Sequence, residues 1–156
     1  MKLYLVQHGL AVVKNEHEQR PLSNQGREDI TRVGGFLSLF ERPKPIRIVH
    51  SDKLRSLQSA EMFAEAWGCS VVEKSSELSS DANPTIWASR LIEIHEDMML
   101  VGHLPHLPRL ASLLLCGQAE REVVRFCNAG VVCLQRTENE WSICWQVNPT
   151  LFYPKD

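Results

Sequence analysis

The sequence predicts a three-layer α/β/α sandwich, with a mostly parallel central sheet and an antiparallel C-terminal addition. Three observations lead there. Apolar runs at 3–6, 46–49 and 98–101 are short enough and apolar enough to be strands covered on both faces. Stretches with apolar residues at helical spacing follow each of them. The C-terminal part instead carries two strand-like stretches around a polar turn. Strands alternating with helices call for parallel pairing and helices on both faces, whereas a hairpin closes antiparallel.

The first strand, Leu3, Tyr4, Leu5 and Val6, stops at Gln7-His8-Gly9. A polar loop runs through 14–20. Ser23 or Asn24 then suits an N-cap, and Ile30, Val33, Leu37 and Phe40 set a helix over 25–40. Arg42-Pro43-Lys44-Pro45 ends it, because proline cannot continue a helix. The second strand, 46–49, runs into His50-Ser51-Asp52. A helix beginning near Lys53 buries Leu54, Leu57, Ala60, Ala64 and Trp67, and Gly68 stops it. Val71, Val72 and Glu73 form a short third strand, and 75–83 reads as a polar connection. Asn83-Pro84 opens a helix with proline at its first position, and Trp87, Leu91 and Ile94 form its apolar face. The fourth strand, 98–101, ends at Gly102-His103. A helix starts over Leu104-Pro105, buries Leu107, Leu110, Ala111 and Leu114, and closes at Gly117. Strands over 130–135 and 141–147 flank the turn Thr137-Glu138-Asn139-Glu140. Asn148-Pro149 breaks the pattern. Trp67, Trp87, Trp141 and Trp145 fall in apolar patterns and read as core.

At 156 residues the chain is expected to form a single domain over 1–156 with a full core. Its 44% hydrophobic and 23% charged content is that of an ordinary globular protein. A net charge of −2 gives no general attraction for nucleic acid, and no basic stripe interleaves with aromatics. No apolar run is long enough to span a membrane, and His8 comes too early for a signal peptide. Five cysteines without a Cys-x-x-Cys pair argue against a disulfide framework or a thiolate zinc site. A cytoplasmic, reducing location is therefore expected. No metal or other cofactor is expected: His103-Leu104-Pro105-His106 lacks the carboxylate or thiolate that would complete a metal set.

Function is written at the strand ends. In an open parallel sheet, ligands gather beyond the carboxyl ends of the strands. Gln7-His8-Gly9, then His50-Ser51 with Arg55 one turn further on, then Gly102-His103, all fall on that edge, and Arg20 lies in the loop after the first strand. Two imidazoles, a hydroxyl and a guanidinium would converge on one cleft beside two helix N-termini, a setting that favours an anion.

The chain resembles the histidine phosphatase superfamily (phosphoglycerate mutase-like), and within it the small SixA-type branch that acts on protein phosphohistidine. The likeness runs nearly end to end. His8-Gly9 is similar to the Arg-His-Gly signature, and Arg20-Pro21-Leu22-Ser23 with Gly26 to an Arg-Pro-Leu-Thr segment. Residues 51–59, SDKLRSLQS, resemble a Ser-Pro-x-x-Arg-Ala-x-Gln-Thr segment. Residues 101–105 resemble the turn that carries the second histidine, and 145–149 the closing strand. The resemblance implies that His8 is transiently phosphorylated, and that Arg55 and His103 contact the phosphoryl group. Gln7, Gly9, Arg20 and Ser51 would line the phosphate. It also implies a metal-independent phosphatase whose partner is a phosphorelay carrier bearing phosphohistidine.

Elementary chemistry fits those roles. A phosphoryl group in transfer spreads charge over three oxygens, which a planar guanidinium pairs with well. His8 must be neutral to attack. Nearby arginines should lower its pKa, and a backbone carbonyl should fix its ring. Two departures stand out. Gln7 replaces the signature arginine, so one charge is missing, and Asp52 stands where proline is usual. The general acid is not evident among Glu16, Glu18, Glu77 and Asp81. A phosphatase for small phosphate esters and a weakened phosphate-binding module are the alternative readings.

Overall fold

A computed structural model describes residues 1–40 and 44–154. At the sheet's centre β1 (Lys2–Gln7) pairs in parallel with β4 (Met98–Gly102) and antiparallel with β5 (Val131–Thr137). β2 (Arg47–His50) lies parallel to β4, and β3 (Val72–Lys74) parallel to β2. β6 (Glu140–Val147) closes the far edge antiparallel to β5. The strand order is β3-β2-β4-β1-β5-β6. The expected mostly parallel sheet with its antiparallel addition is therefore present.

Side-chain alternation divides the core into two layers. Tyr4, Val6, Ile48, Met99, Val101, Val131 and Cys133 face α1 (Asn24–Phe40) and α2 (Leu54–Trp67). Leu3, Leu5, Val49, Met98, Leu100, Val132 and Leu134 face α3 (Pro84–Glu93) and α4 (His106–Cys116). β1 and β4 are covered on both sides, which is why their sequences are almost wholly apolar.

Local signals act where expected. The Ser23 hydroxyl accepts from the Gly26 N–H, and Asn83 accepts from the Thr85 N–H. Gly68 and Gly117 end their helices in the left-handed region, at φ 68° and 70°. Arg42 and Pro43, expected to stop α1, lie outside the described residues, and Lys44 and Pro45 are not helical.

Several expectations need correction. Phe40 is exposed, because α1 outruns the sheet beneath it. Leu54 and Leu57 are only half-buried, and the serines Ser56 and Ser59 take the inner positions of α2. Ile94 lies just past α3, and Leu114 is half-buried. Trp141 and Trp145 are half-buried, since edge strand β6 lacks a neighbour on one side. α4 begins at His106, because the residue before a proline disfavours helical backbone. Residues 75–83 are more than a polar link: a 3₁₀ turn, Ser76–Leu78, drives Leu78 fully into the core. Among the described residues no helix is long and apolar enough to cross a membrane.

Candidate active site

Strand register builds the site. Gln7 pairs with Gly102 and His50 with Val101 in adjacent parallel ladders. The next residues along each strand, His8, His103 and Ser51, therefore leave the same edge side by side. The His8 and His103 ring centroids are 4.8 Å apart. Residues 95 positions apart in sequence thus share one wall.

Each imidazole is held through one nitrogen. His8 Nδ1 lies 2.7 Å from the Gly9 carbonyl oxygen, an acceptor only, so Nδ1 carries the proton. His8 Nε2 is then a lone pair, and the Arg55 Nε–H donates to it at 3.1 Å. Burial pushes the His8 pKa down to about 4. The Gly9 bond opposes that shift, and Arg55 and then Arg20 reinforce it. His103 is nearly inaccessible, with Nε2 2.5 Å from Ser51 Oγ. The Ser51 oxygen also accepts from the Lys53 N–H at 3.4 Å, and its hydroxyl engages His103 through Nε2, which leaves Nδ1 as the ring's other nitrogen. Burial, then the neighbouring His8, Arg55, Lys53 and His106, lower His103 to about 3. Both rings are neutral at neutral pH.

The polar inner face of α2 explains how Arg55 is aimed. Ser56 Oγ donates to the Val101 carbonyl and accepts from the Ser51 N–H. Ser59 Oγ donates to the Arg55 carbonyl and accepts from the Gly9 N–H. Gln58 Oε1 accepts from the Leu22 N–H. Serines replace apolar residues here because the helix abuts strand ends whose backbone groups need partners. The loop before α1 is held the same way: Ser23 bonds the Leu10 carbonyl, and a Cβ on Gly26 would sit 2.1 Å from that oxygen. Only glycine permits that approach.

Gln7, His8, Arg55 and His103 line one cavity of about 280 Å³, together with Lys53, Ser80 and Leu104. Gln7 Oε1 is buried without a partner. Ser51 and Gly9, expected at the phosphate, are placed differently. Ser51 is fully buried and reaches only His103 among side chains of the cavity wall. Gly9 is buried, and a Cβ there would lie 2.7 Å from Ile30, so packing demands glycine. Arg20 lines an adjoining groove with Arg55; its Nε donates to the Val12 carbonyl, and its backbone is left-handed at φ 50°. Glu77 turns away to Arg90, and among the described residues no carboxylate lines the His8 cavity. Among the described residues no group of three or more His, Cys, Asp or Glu is placed to hold a metal.

Sequence reasoning did not find Lys53, Ser80, Leu104 or Asn128. The Asn128 amide donates to the His8 carbonyl at 2.9 Å, and Ala129 N–H bonds the Gln7 carbonyl, so the segment before β5 buttresses β1's end. An Asn-Ala-Gly turn opening a strand was the available signal for it. Ser80 had none.

Among solved structures, the protein histidine phosphatase SixA bound to tungstate superposes with a TM-score of 0.86, over 98% of this chain and 100% of that one, at 19% identity. The chain has the histidine phosphatase fold. A protein of Agrobacterium tumefaciens assigned as phosphohistidine phosphatase SixA shares this fold at TM-score 0.76 and 20% identity, over 95% and 97% of the two chains. So does the alpha-ribazole phosphatase of Shigella flexneri, at 0.75 and 15%, over 92% and 94%. No family model and no curated protein matches the sequence. The histidine phosphatase fold is thus read here from backbone geometry, with phosphohistidine and small-ester phosphatases both among its carriers.

Proposed function

We propose that the protein is a phosphatase that removes phosphate from phosphohistidine on a partner protein, through a covalent intermediate on His8. The observation that carries this reading is the His8 Nε2 lone pair, held by Arg55 in a cavity that His103 shares.

The reaction follows from that geometry. An arriving phosphoryl group draws the Arg55 guanidinium onto its oxygens and frees Nε2. Nε2 attacks in line; the Nε2–P bond forms and the bond to the substrate imidazole breaks. The substrate ring leaves neutral if its other nitrogen carries a proton. His8 becomes a phosphoimidazolium, its Nδ1–H still donating to the Gly9 carbonyl, and that cationic ring is itself a good leaving group. Water then attacks phosphorus, giving inorganic phosphate and neutral His8. Arg55, Lys53 and the His103 Nδ1–H stabilise the equatorial oxygens.

Substrate choice is argued from the cavity wall. An alkoxide leaving group needs a protein acid, and the wall offers no carboxylate. Burial keeps His103 deprotonated. Phosphohistidine needs no such donor. Leu104 in the wall is 43% exposed, which suits contact with a protein surface. The phosphorelay carrier and cytoplasmic setting remain part of this proposal.

The test uses a ³²P-phosphohistidine protein, quenched in alkali after seconds. Label should appear on the wild-type chain, turn over to phosphate, and be absent in His8→Ala. Release at an undiminished rate by His8→Ala would sink the reading. Tight phosphate binding with neither label nor release would favour the weakened binding module that Gln7 suggests.

A further inference from the structure

We propose that the groove next to the His8 cavity is a second anion subsite, which receives an acidic side chain flanking the phosphohistidine of the substrate protein. This rests on the phosphatase reading above and specifies what kind of partner it takes.

The groove encloses about 640 Å³ and sets Lys14, Arg20, Lys53 and Arg55 against Glu18 and Asp52. Lys53 and Arg55 also line the His8 cavity, so a substrate seated at His8 borders the groove directly. None of the four cations has a carboxylate within 4.0 Å among the described residues. A groove of similar size, about 600 Å³, runs along β2, β3 and α3 and behaves oppositely. There Arg47 pairs with Glu73 and Glu96, Lys74 with Asp52, and Arg90 with Glu77. One groove is neutralised from within, and the other is left positive.

That charge has a cost which a ligand would offset. Arg20 and Arg55 share the groove wall; burial, and then the Arg20 charge, lower the pKa of the part-buried Arg55. Two guanidiniums held together without an anion repel each other. The first turn of α2 adds the same sign, with no acidic residue and no side-chain cap. Arg20 cannot simply swing away, since its Nε is tied to the Val12 carbonyl. The occupant follows from the rim. The loop that carries Lys14 also exposes Leu10 and Val13, at 44% and 56%. Apolar side chains beside cations fit a protein surface bearing a carboxylate.

Paired phosphohistidine peptides, one with Glu and one with Gln beside the phosphorylated residue, test this at low salt. The Glu peptide should show a KM about fivefold lower, the effect of one or two part-exposed ion pairs. The preference should shrink in Lys14→Gln, where the exposed side chain leaves folding alone, and at high salt. Calorimetry with 3-phosphonopropionate against propylphosphonate gives a readout without turnover, and the carboxylate should tighten binding there too. Equal KM for both peptides, unchanged by Lys14→Gln, overturns the subsite while leaving the phosphatase reading intact. Preference for the phosphonocarboxylate without preference for the Glu peptide assigns the second anion to a small molecule and overturns the protein assignment. Turnover of neither peptide, with the phosphonocarboxylate still preferred, sinks the phosphatase reading and keeps the groove as an anion site.

Discussion

The ends of β1 and β4 look alike and are wired differently. Each parallel strand stops at a histidine, and burial keeps both rings neutral. At the end of β1, the carbonyl of the next residue accepts from Nδ1–H and leaves Nε2 as a lone pair toward Arg55. At the end of β4, the Ser51 hydroxyl occupies Nε2 of His103. In the proposed reaction the first ring attacks and the second donates. The same residue type at equivalent positions thus takes two tasks, set by which nitrogen the neighbouring backbone or side chain engages.

The largest expected effect breaks this contrast outright. His8→Ala should lose on the order of 10⁴-fold or more in phosphohistidine turnover and form no phosphoenzyme. His103→Gln should lose about 10²–10³-fold, as for one preorganised donor, yet still accumulate label on His8. Equal loss of label in both variants would show that the rings act as one unit. Next comes Gln7→Arg, beside the attacking ring. Restoring a charge where Gln7 Oε1 is buried without a partner should raise single-turnover phosphoryl transfer about tenfold, within the range one such donor supplies. No change would mean that Lys53 and Arg20 already compensate.

Ser51→Ala sharpens the comparison on the β4 side. It frees His103 Nε2, so the ring loses its fixed tautomer. Turnover should fall by about tenfold or less, with stability reduced by about 1 kcal/mol for the lost buried hydrogen bond. Ser51→Asn, which keeps a hydrogen-bond donor at that position, should retain more of the rate than Ser51→Ala. A further expectation concerns stability against pH rather than rate. The folded pKa values of His8 and His103, about 4 and about 3, lie below the unfolded value of 6.5. The unfolded chain therefore binds protons first as pH drops. The contribution of these two histidines to stability is full above pH 6.5 and is lost between there and about 3. Melting temperatures measured from pH 7.5 to 4 should decline, and His103→Gln should flatten the decline. An unchanged slope in that variant would place the imidazole in solvent.

The same contrast shows how far a sequence reading reaches. The apolar runs at β1 and β4 announced buried parallel strands, because covering both faces leaves no room for polar residues. His8, Arg55 and His103 were legible as a set because each follows a strand end, and parallel strands deliver their ends to one edge. Ser51 was legible as part of the site but not in its role. Whether a hydroxyl points to a ligand or to the back of a histidine depends on depth, and a strand-end motif carries no depth. At Gly9, where a ligand or backbone was expected to come close, it is the Gly26 carbonyl with Ile30 and Leu22 that uses the missing Cβ. Ser80 could not be foreseen, since nothing sets it apart in the polar run 75–83; it lines the cavity two residues after the buried Leu78.

Periodicity and strand-end chemistry by themselves determined the layered architecture and the trio of His8, Arg55 and His103. Those features depend on neighbours in the chain and on a sheet geometry common to all parallel strands. Tertiary structure alone decided which nitrogen each imidazole offers, where Arg20 directs its charge, and which groove is left positive. The bonds to the Gly9 and Val12 carbonyls are local, but those of Arg55 with His8, Ser51 with His103 and Asn128 with His8 join residues 47, 52 and 120 positions apart. Hydrogen bonding and burial are set by distance in space, to which order along the chain is blind.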